Sequence, residues 1–251
     1  MAFSTVFLVG ATTAYAQDYF SDKITAKEKA VLAFFRASGM PPDYDYWIKN
    51  SSRYESLPEY KQEEHFIREM LRLGHGYGLY DPEVDVLEVK ARVIVKFTPS
   101  EDGKEKADLT FRFFGVDKDS TPSFDFPFGN KGIISLVVEG LEDFGHLSLS
   151  AEQEEAMRSK VPYEGSEFDA NLIVHTQVYK ADYNRPVAKK ADMKKWLMVG
   201  RIAYLKCVIE SMYESEAHTL WDYTAPWYEE QFRLKNTPLD AEYPHPYDLF
   251  K

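Results

Sequence analysis

The chain has 251 residues, of which 30 are Lys or Arg and 41 are Asp or Glu, so its formal net charge at pH 7 is -11. A chain this acidic has no general electrostatic attraction to nucleic acid or to anionic lipid, and the composition argues against both partners. A globule of this length buries roughly three quarters of the surface of its unfolded chain, so a sizeable core is expected.

Residues 1–16 have the layout of a secretory signal peptide. The apolar run 3–10 is followed by Ala14, Tyr15 and Ala16, which match the A-x-A pattern of a cleavage site. The basic region that normally precedes the apolar run is missing, and a short buried strand is the alternative. Cleavage after Ala16 predicts a bacterial protein that is periplasmic or secreted. The apolar run is too short to span a bilayer, and no transmembrane segment is expected in the chain after cleavage.

Two helices are predicted before residue 82. Thr25 and Glu28 have the spacing of a capping box, and the apolar stripe that follows ends at Gly39. Residues 43–56, which are rich in Tyr, are expected to be irregular. A second serine and glutamate at capping-box spacing predict another helix over 56–73, with Phe66, Ile67, Met70 and Leu71 facing inward.

Residues 74–82 form the most glycine-rich stretch of the chain and are predicted to be a loop. Glycine lets a backbone approach a ligand closely, so His75 and Tyr77 are candidate binding residues. The stretch lacks the Lys-Ser/Thr of a phosphate-binding loop and follows a helix rather than a strand, so it matches neither common nucleotide motif. A helix C-cap and turn is the alternative interpretation.

The strongest strand signal lies in residues 86–114. Apolar residues alternate with polar ones from Leu87 to Phe97, and the pattern resumes over 109–113. The link between the two runs contains a proline, an Asp-Gly pair and several charges, as solvated turns do. The sequence therefore predicts a long antiparallel hairpin with one face on the core.

Further elements are predicted in the second half of the chain. They are an edge strand at 124–128, strands at 133–138, 171–179 and 196–209, a helix capped by Ser150, a loop at 182–195, and a helix from about Ala225 followed by a Tyr-rich tail. The run 196–209 could also be a buried helix, but its β-branched residues favour a strand.

These elements predict an α+β fold in which N-terminal helices are followed by a mainly antiparallel sheet with one or two further helices. We expect a single domain over residues 17–251. Its helical part spans 17–82, and its sheet-rich part, which includes an aromatic C-terminal segment, spans 83–251.

No motif in the sequence carries catalytic or metal-binding chemistry, so neither a catalytic residue nor a metal or other cofactor is predicted. Glu63, Glu64, His65 and Glu69 are close together, but consecutive helical positions point in different directions, and a solvated charged face is the simpler interpretation. The single cysteine, Cys207, lies in an apolar run and is expected in the core.

The least ordinary segment is residues 220–228, which carries four aromatic side chains in a predicted loop and helix start: Trp221, Tyr223, Trp227 and Tyr228. Exposed rings at this density contact sugars or partner proteins. The alternative is that the rings complete the core.

The sequence shows no resemblance that identifies a family. Its features favour a non-enzymatic binding or interaction protein of the cell envelope, whose partner is an envelope protein or a carbohydrate. An exported hydrolase with a dispersed acid/base or Ser/His/Asp site is the alternative. A purely structural subunit of an envelope complex is a third.

Overall fold

A computed structural model describes residues 23–100, 106–114, 122–161, 167–190, 193–209 and 218–229. The helices are α1 (Ala26–Ser38), α2 (Tyr44–Lys49), α3 (Ser52–Ser56), α4 (Glu59–Leu79) and α5 (Ala151–Arg158). The strands are β1 (Leu87–Thr98), β2 (Asp108–Phe113), β3 (Ser123–Pro127), β4 (Gly132–Glu139), β5 (His146–Ser148), β6 (Glu167–Ala181), β7 (Ala188–Lys190), β8 (Met193–Ile209) and β9 (His218–Thr224). The predicted signal peptide and the Tyr-rich tail lie outside the described residues.

The strands form one sheet in the order β3-β4-β8-β6-β1-β2-β5, and β7 and β9 also pair with β8. Antiparallel pairs join β1 to β2, β2 to β5, β3 to β4, and β8 to both β7 and β9. The starts of β4 and β8 lie side by side: the Lys194 N–H in β8 donates to the carbonyl of Lys131, the residue before β4, at 2.9 Å. The sheet is mixed, so the prediction of a mainly antiparallel sheet is wrong. Alternation within a strand shows which face is buried, but it does not fix the direction of the neighbouring strand.

The chain groups into two compact units, each assembled from separate stretches of sequence. Unit 1 combines the described residues up to Leu87 with Ser123–Val137 and Val178–Gly200. Unit 2 combines the described parts of 88–122 and 138–177 with those after residue 200. Strands β4, β6 and β8 contribute residues to both units. A single domain over 17–251 stays a prediction.

Helix α1 contributes six consecutive buried residues, 30–35, to unit 1. The predicted capping box is confirmed: the Thr25 hydroxyl accepts from the Glu28 N–H, and the Glu28 carboxylate accepts from the Thr25 N–H. Gly39 ends the helix in the left-handed conformation at φ 67°. The middle of the helix is buried, and the rings of Phe34 and Phe35 lie 6.4 and 5.2 Å from the Tyr183 ring.

Residues 43–56 are helical rather than irregular. Asp43 accepts a hydrogen bond from the Tyr46 N–H and caps α2, and Ser51 accepts from the Tyr54 N–H and caps α3. Both helices are too short to show an apolar period, so their caps were the only signal that could have revealed them.

Helix α4 differs from its prediction at both ends. Pro58 occupies its N-cap without a side-chain hydrogen bond, so the capping box predicted for Ser56 is wrong. The helix passes through Gly74 and ends at residue 79. At Gly76 an added Cβ would lie only 2.6 Å from Ile24 Cγ1. Glycine here allows α4 to approach the segment before α1, and it does not end the helix.

The apolar residues predicted to face inward on α4 are partly misassigned. Ile67 and Leu71 are exposed, whereas His65 and Leu73 are buried. The buried face of α4 is therefore rotated from the one that apolar periodicity indicated.

In unit 2, the alternation predicted for β1 is confirmed. Val93, Val95 and Phe97 are fully buried, while Lys96 is exposed. Val95 pairs with Phe111 on β2, and all six pairs from 93 to 98 are antiparallel. The turn predicted to close a hairpin includes residues 101–105, which lie outside the described ranges.

Most remaining elements match their predictions. The Ser150 capping box of α5, the edge strand β3, and strands β4, β6 and β8 are confirmed. The loop predicted at 182–195 contains β7 and the start of β8, and the loop predicted around Trp221 is strand β9. Residues 226–229 are helical, as expected after Ala225.

Candidate functional sites

Unit 2 contains a cluster of four partly exposed rings, Phe111, Phe144, Trp221 and Tyr223, which we call the aromatic cluster. Trp221 stacks on Phe144 with ring centroids 5.8 Å apart and planes 10° apart. Trp221 also meets Phe111 edge-on at 5.6 Å, and Tyr223 lies 4.9 Å from Phe144. The sequence identified Trp221 and Tyr223 as candidates, and the two Phe residues were not predicted to join them.

Local structure explains why these rings meet. Trp221 and Tyr223 are two residues apart on β9, so both side chains lie on the same face of the strand. Phe144 lies in a 3-10 turn, Leu141–Gly145, which begins after Gly140 adopts φ 75°. Phe111 comes from β2, so three elements distant in sequence contribute to the cluster.

The indole N–H of Trp221 is buried and has no hydrogen-bond acceptor among the described residues. A buried donor without a partner costs about 1–3 kcal/mol relative to a satisfied one. The aromatic cluster thus contains one buried polar group without a partner in the described part of the chain, although its rings are partly exposed.

Trp227 and Tyr228, also predicted to bind a ligand, do not join the aromatic cluster. The Trp227 indole N–H donates to the Ile202 carbonyl at 2.9 Å, and the Arg201 guanidinium lies 3.8 Å from the centre of its ring. Tyr228 is buried and contacts Trp227 at 5.4 Å. These contacts give both residues structural roles in unit 2.

His75 and Tyr77 lie on α4 in unit 1, not in a loop. His75 is exposed. The Arg36 guanidinium lies 4.1 Å from the centre of the Tyr77 ring and donates to the Tyr77 carbonyl at 2.7 Å, while the Tyr77 hydroxyl donates to the Met40 carbonyl. Positions two apart on a helix point in different directions, so the two side chains do not converge.

The sequence missed a second site, a cavity of about 200 Å³ in unit 1. Its apolar wall is formed by Trp47, Ile48 and Leu73. Its polar lining comes from α1, α2–α3 and α4, and we call the cavity the charged cleft. The polar residues are Glu28, Ser51, Arg53, His65, Glu69 and Arg72.

Arg72 occupies the centre of the polar lining. Its guanidinium donates to both Glu28 oxygens, at 2.5 and 3.1 Å, and to Glu69 Oε2 at 2.7 Å. Burial alone would raise the pKa of Glu28, but hydrogen bonds from Arg72 and Thr25 outweigh it and hold this pKa below its usual value. The Glu28 carboxylate therefore remains ionised, and Arg72 pairs with both carboxylates.

His65 is buried beside this ion-pair network. Arg68 Nη2 lies 3.1 Å from His65 Nδ1. A guanidinium can only donate, so Nδ1 accepts and the imidazole proton sits on Nε2. Burial, reinforced by three nearby arginines and opposed by Glu69, lowers the pKa of His65, which is therefore neutral at pH 7.

Comparisons of the chain with protein-family models, with curated proteins and with solved structures gave no match. The description of its sites therefore rests on geometry. Over the part of the chain that the structure describes, no three His, Cys, Asp or Glu side chains are grouped as metal ligands would be. No helix in the same ranges has both the length and the apolar character needed to cross a membrane.

One sequence signal could have revealed the charged cleft. His65, Glu69 and Arg72 are spaced i, i+4 and i+7, which places them on one face of α4. A solvated charged face was predicted, and Glu63 and Glu64 are indeed exposed. That interpretation is wrong for His65, which is buried.

Proposed function

We propose that this chain is an exported, non-enzymatic binding protein of the bacterial cell envelope, with the aromatic cluster as its contact surface for a carbohydrate. The observation that carries the proposal is the convergence of Trp221, Tyr223, Phe144 and Phe111 in one partly exposed cluster. Aromatic rings provide a large contact area at low conformational cost, and their faces suit the apolar faces of sugar rings. An envelope protein is the other partner that such a surface fits.

Export is supported by the sequence alone. The apolar run 3–10 and the Ala14-Tyr15-Ala16 pattern are those of a cleaved signal peptide. N-terminal sequencing of the protein purified from its native host should give a chain that begins at Gln17. A native chain that still begins at or upstream of Met1 would contradict export by this route.

A binding role fits the charged cleft better than hydrolysis does. A general acid needs a carboxyl group whose pKa is raised towards neutrality. The pKa of Glu28 is instead lowered, and both carboxylates are paired with Arg72. The alternative of a hydrolase with a dispersed site stays a prediction without a specific observation in its favour.

Binding of the full-length mature chain to a panel of oligosaccharides, followed by calorimetry, tests the carbohydrate proposal. Trp221→Ala should weaken binding about tenfold or more, because truncating a central Trp at a contact surface costs on the order of 2 kcal/mol or more. Tyr60→Ala removes an exposed ring far from the cluster in sequence and should bind as the wild type does. Equal affinities for the two variants, with both folded, would contradict a role for the cluster. If the aromatic cluster bound an envelope protein and no sugar, the partner in this proposal would be a protein and not a carbohydrate.

A further inference from the structure

One cation in the lining of the charged cleft has no counter-ion in the described part of the chain. The lining carries two guanidinium groups, those of Arg53 and Arg72, and two carboxylates, those of Glu28 and Glu69. Arg72 pairs with both carboxylates, so neither needs the second guanidinium. A cation without a counter-ion in a cavity favours a negatively charged ligand.

The unmatched charge belongs to Arg53. Arg72 is committed to both carboxylates, and Arg68 contacts His65 and lies 3.9 Å from Glu69 Oε1. Arg53 lines the cleft and has no acidic partner within ion-pair distance among the described residues. Its planar guanidinium can donate two parallel hydrogen bonds to a carboxylate or phosphate.

His65, which lines the cleft, and Arg68, which contacts His65, supply two further N–H donors. The Arg68 Nε–H is buried without a hydrogen-bond partner in the described chain. His65 lines the cleft and carries its proton on Nε2, because its Nδ1 accepts from Arg68. Donors in a low-dielectric site bind an oxyanion more strongly than they would in water.

The size and the wall of the cleft limit the ligand further. A volume of about 200 Å³ corresponds to roughly seven water molecules at the liquid density, so the ligand is small. Trp47, Ile48 and Leu73 contribute apolar surface to the lining. A ligand that combines an oxyanion with a short aliphatic tail would use both parts of the lining.

We propose that the charged cleft binds a small organic anion, whose carboxylate or phosphate group contacts Arg53 and whose short apolar tail packs against Trp47 and Leu73. This site is separate in sequence and composition from the aromatic cluster. It does not depend on the carbohydrate-binding proposal, and either proposal can fail without the other.

Isothermal titration calorimetry of the full-length mature chain tests this site, with butyrate, butyl phosphate and inorganic phosphate as probes. Butyrate or butyl phosphate should bind saturably, with a dissociation constant on the order of 0.1–1 mM. Butyramide, which has the same tail without the charge, should bind at least about tenfold more weakly. The two charged probes distinguish a carboxylate from a phosphate ligand, and inorganic phosphate alone tests how much the tail contributes.

Arg53→Ala should weaken binding of the charged probes about tenfold to a hundredfold, as the loss of a charge-assisted hydrogen-bonded pair does. Arg185→Ala removes an exposed arginine of the same unit and should leave binding unchanged. Trp221→Ala should also bind the anion normally. Absence of saturable binding, butyramide binding as tightly as butyrate, or full affinity in folded Arg53→Ala would each overturn the proposal.

Discussion

Arg72→Met should lower the free energy of unfolding by about 2–4 kcal/mol at pH 7, because breaking a buried ion pair leaves an uncompensated charge. The side chains of Arg72, Glu28 and Glu69 are only 10%, 22% and 13% exposed. Without the guanidinium, the two carboxylates would share the charged cleft without their hydrogen-bonded counter-ion. Methionine keeps most of the apolar stem, so the loss reports mainly on the charge.

The loss of unfolding free energy in Arg72→Met should become smaller as the pH falls. The pKa of Glu28 is lowered in the folded protein, so its ion pair stabilises the fold above the unfolded-state pKa, and this contribution is lost as the pH falls through the folded-state value. In Arg72→Met, burial without the guanidinium is expected to raise the pKa of Glu28, so this carboxylate becomes neutral on acidification. The gap between wild type and variant should therefore be widest near neutrality and narrow below about pH 4.3, the ordinary pKa of a glutamate.

Urea unfolding followed by tryptophan fluorescence at several pH values measures this gap. Arg112→Met is the matched control, because Arg112 pairs with Glu167 on an exposed surface where the side chains are 60% and 58% accessible. Its effect should stay within about 0.5 kcal/mol. Equal losses for the two variants, or a deficit in Arg72→Met that does not change with pH, would refute the buried network.

Three further predictions concern packing. Val95→Asp should lower the free energy of unfolding by several kcal/mol or prevent folding, because it buries a carboxylate without a partner. Lys96→Asp on the exposed face should change this free energy by only about 0.5 kcal/mol. Equal urea midpoints for the two variants would contradict the β1 register. Gly76→Leu should destabilise the protein by about 1–3 kcal/mol through overpacking, whereas Gly78→Leu, where an added Cβ meets nothing within 4 Å, should be neutral or stabilising in thermal melts. Burial raises the pKa of Cys207 to about 12, so a thiol reagent should modify this residue only as fast as the protein unfolds. Rapid labelling of the native protein would contradict the burial of Cys207.

The elements that the sequence predicted well have local signals. The capping boxes at Thr25 and Ser150 need only residues within one helical turn, and both are present. The alternation of β1 is equally local, because each side chain's face depends on its own parity along the strand.

The features that the sequence did not predict depend on contacts between distant segments. Helix α4 continues past Gly74 because tertiary packing, including the approach to Ile24 at Gly76, outweighs the low helix propensity of glycine. Strand β9 exists through its pairing with β8, where Cys207 faces Trp221. Its own sequence has apolar residues on both faces and gives no clean period.

The two candidate sites illustrate the same limit. The sequence identified Trp221 and Tyr223, but Phe111 and Phe144 reach them from elements more than 70 residues earlier. The charged cleft needs Glu28 of α1 to meet Arg72 of α4, and no spacing rule relates residues on different helices.

The discontinuous course of the chain through unit 1 affects synthesis of the protein. Helices α1–α4 are complete by residue 79, but unit 1 also needs residues 178–200, about ninety residues further on than Leu87. At a translation rate of roughly 5–20 residues per second, the ring contacts of Phe34 and Phe35 with Tyr183 must wait for about 5–21 s after those helices have been translated. For this interval the apolar surface of α1 lacks one of its partners, so holdase chaperones that bind exposed apolar segments should engage the ribosome-bound chain before residue 183 is made.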